Sequence, residues 1–156
     1  MPLDGSAPPR PVVRNPGNDQ QPAFSPDGRW LAYASDASGS LEVYVEAFPG
    51  PGPRIQVSSG GGIGAVWAPD GRTLYYVGQT EREGTLMRVR VQTTPSLKAD
   101  VPRAVTRFPY LVSGPVRSHD IAPDGQRFIV ATYDQPGASP ATELHVVLNW
   151  SGRLND

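Results

Sequence analysis

Cysteine is absent from the 156 residues, and with it go disulfide frameworks, thiolate zinc sites, iron-sulfur clusters and thiol nucleophiles. Such a chain tolerates either redox compartment. Lysine is nearly absent too: of 14 basic residues only Lys98 is lysine and 13 are arginine, a bias that reads as GC-rich coding before any function. An excess of either charge is missing, since the formal net charge is −1, and no global field recruits nucleic acid or an anionic membrane surface. The opening MPLDGSAPPRPVV lacks a basic region followed by an apolar stretch, so neither a signal peptide nor a membrane-inserting helix is expected. Helical periodicity is scarce throughout, which excludes a helix bundle.

What is abundant is punctuation. Seventeen glycines and 18 prolines separate short apolar runs, the pattern of many strands and tight turns. One motif occurs in three copies: FSPDGRWLAY at 24–33, WAPDGRTLYY at 67–76 and IAPDGQRFIV at 121–130. Its aspartates lie 43 and 54 residues apart, the range of a four-stranded propeller blade with one lengthened loop. The turn chemistry explains the motif. Pro26, Pro69 and Pro123 preset φ for the first central position; Asp27, Asp70 and Asp124 tolerate the second and bond the local backbone; Gly28, Gly71 and Gly125 supply the left-handed residue. An apolar residue precedes each proline by two places (Phe24, Trp67, Ile121), and these side chains are expected to fill the space between sheets.

Each hairpin is followed by a polar turn and a third strand, at 41–48, 85–91 and 142–150, and two of them by a fourth, at 54–58 and 103–108. The expected architecture is all-β: three four-stranded antiparallel blades over about 20–58, 62–108 and 117–150. Residues 10–14 (RPVVR) read as the outer strand of a preceding blade.

The segments FSPDGRWLAYASDASGSLEVYVEAFPG, AVWAPDGRTLYYV and ELHVVLNW resemble the PD40, or TolB-like, β-propeller repeats of bacteria. Their order is similar to the carboxyl-terminal half of the propeller that follows some bacterial serine/threonine protein kinase domains. The resemblance implies a propeller of roughly six blades with protein-binding or sensor roles, in the periplasm or cytoplasm.

Candidate chemistry is sparse. The three turn aspartates could be imagined as a metal or acid-base set, yet equivalent positions on radiating blades are expected to lie apart, so turn-forming is the favoured reading. His119 stands beside Ser118 and Asp120 near the start of an innermost strand, but strand neighbours point to opposite faces and cannot assemble a triad. It remains a candidate partner contact, and His145 reads as packing. The run Gly60-Gly61-Gly62-Ile63-Gly64 lacks the Lys-Ser/Thr pair and helix of a phosphate loop and reads as a flexible connection. No G-x-S-x-G occurs, which argues against a hydrolase half. Residues 82–127 hold eight basic and four acidic groups; Arg88 and Arg90, with Arg103 and Arg107 on the next strand, could meet an acidic partner or merely guard a sheet edge.

The expected function is therefore a non-catalytic protein-interaction or sensor module, without metal or cofactor, with a protein partner and no nucleic acid. The alternative is the propeller part of a larger kinase or prolyl-peptidase type enzyme. Because three blades cannot close a ring, the expectation is either a homodimer that completes the propeller, with residues 10–14 exchanged between copies, or an incomplete piece of a longer chain that aggregates alone.

Overall fold

Every Pro-Asp-Gly motif closes a hairpin, and the local geometry shows why. Gly28, Gly71 and Gly125 have φ of 69°, 64° and 68°, a region that L side chains rarely enter. The N–H of each donates three residues back, to the carbonyls of Ser25, Ala68 and Ala122 at 2.8, 3.0 and 2.8 Å. Each aspartate bonds its own turn: Asp27, Asp70 and Asp124 accept through Oδ1 from the N–H of Arg29, Arg72 and Gln126 at 3.1, 2.8 and 2.9 Å. One turn is thus built three times.

The computed structural model describes residues 5–79, 84–108, 117–131 and 146–147. They form three antiparallel sheets and no helix. The first sheet has the order β1 (Asp19–Phe24), β2 (Trp30–Ser35), β3 (Glu42–Ala47), β4 (Arg54–Gln56). In the second, β5 (Ile63–Trp67), β6 (Thr73–Gln79) and β7 (Gly84–Gln92) are followed along the β7 edge by β8 (Lys98–Ala99) and β9 (Arg103–Phe108). The third contains β10 (His119–Ile121), β11 (Phe128–Val130) and β12 (Val146–Val147). The expected fourth strand at 103–108 is present as β9, and β8 is an addition that shares its edge. His145, and most of the third strand expected at 142–150, lie outside the described residues.

The sheets stack face to face. Along β2 alternate side chains serve opposite faces: Ala32 joins Trp67, Leu74, Tyr76 and Val89 in a core shared with the second sheet, while Leu31 and Tyr33 form a cluster with Tyr44 on the other side. Trp67, 7% exposed, fills the inter-sheet space as expected. On the far side of the second sheet, Val66, Tyr75 and Leu86 meet Phe128, with Ile121 and Val130 packed around them.

Two expectations need correction. Phe24 does not fill an inter-sheet space: it is 56% exposed and rests edge-on against Phe48 at 4.8 Å, because none of the described sheets lies beyond it. Residues 10–14, expected as the outer strand of a preceding blade, pair with no described strand of this chain, and Val13 packs on the Leu31, Tyr33 and Tyr44 cluster. The turns are not far apart either. A Cβ on Gly71 would sit 3.7 Å from Pro26 Cδ, and one on Gly125 3.4 Å from Pro69 Cδ, so these two turn glycines pack on the preceding turn's proline.

Candidate functional site

The inner strands carry the inter-sheet polar contacts. β5 is irregular between Ile63 and Val66, as β1 is between Gln20 and Ala23, and within the irregularity the backbone N–H and C=O of Gly64 bond outside the ladder. At Gly64, φ is +64°. Its N–H donates to Gln21 Oε1 of the first sheet at 2.8 Å, and its carbonyl accepts from His119 Nε2 of the third sheet at 2.5 Å. A buried peptide left unpaired is costly, and here the two neighbouring sheets supply the partners. Gln21 is itself held at φ 54° and is buried. A Cβ at Gly64 would overlap the imidazole, so glycine is required by both conformation and space.

His119 is 4% exposed and tilts over Phe128 at 5.2 Å. Burial depresses its pKa from 6.5 to about 4; the Gly64 carbonyl and Asp120 oppose this, and Arg117 adds to it. The ring is therefore neutral at pH 7 with its proton on Nε2. It joins two sheets, and burial removes it from any surface that a partner could touch.

The glycine run is not a loose connection. Gly60 and Gly61 each donate their N–H to Glu42 Oε1 at 3.0 Å, and the Ser58 hydroxyl donates to Glu42 Oε2 while accepting from the Val43 N–H at 2.7 Å. The glycine amides do cradle an anion, but it is the chain's own carboxylate. Glu42, 4% exposed, escaped the sequence reading because nothing in spacing links it to residues 58–61. Gly64 left a faint signal, since glycine inside a strand marks a close approach.

The turn aspartates remain structural even though their turns are adjacent. The Ser25 hydroxyl and Arg29 hold Asp27 at a pKa of about 2. Burial alone would raise Asp70, but the amides of Arg72 and Thr73 and the Thr73 hydroxyl outweigh it and lower it; the Gln126 amide lowers Asp124. No group of three or more metal-ligating side chains occurs among the described residues.

The arginines divide. Arg88 on β7 lies directly opposite Arg103 on β9, whereas Arg107 pairs with Thr85 and Arg90 pairs with Thr73, beyond the reach of β9. Register thus yields one adjacent cationic pair, Arg88 and Arg103, rather than a stripe of four.

No protein-family profile matches the chain, and no curated protein matches it. Solved structures do. A putative TolB from Agrobacterium tumefaciens aligns with a TM-score of 0.56 at 21% identity, over 79% of this chain and 41% of that one. TolB from Acinetobacter baumannii aligns with a TM-score of 0.51 at 15% identity, over 83% and 30%. The fold is an all-β, TolB-type propeller fold, and the chain spans less than half the length of these two proteins.

Proposed function

We propose that the chain is a non-catalytic protein-interaction module built of propeller repeats. The observation that carries this reading is how its polar chemistry is engaged: Asp27, Asp70 and Asp124 bond their own turns, Glu42 its glycine run, and His119 a neighbouring sheet. Among the described residues, Arg88, which also bonds the Tyr75 hydroxyl, and Arg103 lie directly opposite each other and together offer a partner a cationic pair. Two guanidiniums on neighbouring strands suit a carboxylate-bearing segment, which arginine binds through paired hydrogen bonds. The order of the repeats supports the narrower reading of a propeller that follows a protein kinase domain.

The test is affinity capture with the intact chain and with Arg88→Glu and Arg103→Glu together. The reading expects an acidic protein retained by the first and lost by the second at unchanged thermal stability; equal retention by both removes the arginine pair from the interaction.

A further inference from the structure

The first sheet presents a face that is occupied in both other sheets. Its hallmarks recur three times. Trp67 is buried against the first sheet and Ile121 packs against the second, but their counterpart Phe24 is 56% exposed. Gly71 packs on Pro26 and Gly125 on Pro69, but a Cβ at Gly28 would meet nothing within 4 Å. Beside Phe24 lies an apolar groove of about 320 Å³, lined by Val12, Val13, Phe24, Leu31, Tyr33 and Phe48. Residues 12 and 13 cross this face without filling it, since Val12 is itself 45% exposed.

The missing occupant has a defined chemistry. It is another sheet of the same repeat, which brings a turn proline to Gly28 as Pro26 comes to Gly71. The chain carries one turn whose proline faces no later repeat among the described residues, Pro123 of the third sheet. We infer that a second copy of this chain docks there, head to tail, with its Pro123 over Gly28 and its third sheet over Phe24. The contact is self-complementary, because each copy offers both halves of it, and a two-fold pair satisfies both at once. The pairing works by stacking of sheets, and residues 10–14, which lie on the first sheet of their own chain, are not its exchanged strand.

The absence of cysteine makes a clean test. A chain carrying Gly28→Cys and Pro123→Cys is treated with a short bismaleimide, and a chain carrying Pro26→Cys and Gly71→Cys serves as the intramolecular control. The inference expects the first to become a covalent dimer and the second to cross-link within one chain. Sedimentation of the unmodified protein stands independent of the variants, with twice the 16.7 kDa chain mass expected at tens of micromolar. A folded monomer by sedimentation overturns the inference, whether residues 12 and 13 or nothing covers the face. So does a control that cross-links while the test pair stays monomeric.

Discussion

His119 Nε2 donates to the carbonyl of Gly64 across 55 residues of chain, and the N–H of the same residue reaches back 43 residues to Gln21. One glycine in a strand irregularity therefore joins three sheets. Stacked sheets bury apolar faces without fixing their mutual register; a directed hydrogen bond at the inner strand fixes it.

Gly64 is accordingly the least replaceable residue of β5. Gly64→Ala adds left-handed strain of about 1–2 kcal/mol and drives a methyl into the His119 ring. The expected loss is about 2–4 kcal/mol in denaturant unfolding, with the larger values typical of overpacking and lost buried bonds. A midpoint within experimental error of the parent would contradict the contact.

The depressed pKa of His119 makes stability depend on acidity. The ring takes up a proton at about pH 4 when folded and near 6.5 when unfolded, so between these values the unfolded chain binds more protons. Stability then falls as pH drops from 6.5 towards 4, and this site accounts for at most about 3 kcal/mol of the fall. Above pH 6.5 it adds no slope. Unfolding free energies across this range check the trend, and His119→Gln, which keeps a donor and loses the titration, is expected to flatten it.

Glu42 is the third test. Itself buried, it accepts from the buried Ser58 hydroxyl and, through half-buried bonds, from the amides of Gly60 and Gly61, so Glu42→Ala leaves three donors without their acceptor. The expected cost is about 2–4 kcal/mol, on the scale of a buried donor stripped of a charged partner. Glu42→Gln retains an oxygen for the two amides, and its cost is expected to be smaller. Equal losses in the two variants would show that the site senses volume rather than hydrogen bonding.

Much of this architecture is legible in the sequence because the turn is a local device. Pro-Asp-Gly dictates its own φ and hydrogen bonds, so three copies announce three hairpins at once. Trp67 was readable for the same reason, lying at a fixed offset from the turn. Phe24 has that same offset yet is exposed, because burial depends on whether a neighbouring sheet is present, which no local pattern encodes. The polar contacts were the least legible. Glu42 meets residues 58–61 and Gly64 meets Gln21 and His119 only after the sheets stack, and the chemistry of each residue alone suggests something else: a phosphate loop for the glycines, a catalytic pair for His119 and Asp120.

The stacking of sheets is the central claim, and Trp67 reports on it most directly. In a variant with Trp30→Phe and Trp150→Phe the single indole sits in the core shared by the first two sheets, 7% exposed. Acrylamide quenching of its emission is expected to be several-fold weaker in the native than in the unfolded chain, with a native spectrum shifted to shorter wavelength. Quenching that is the same before and after unfolding would place Trp67 in water and contradict the stacked arrangement.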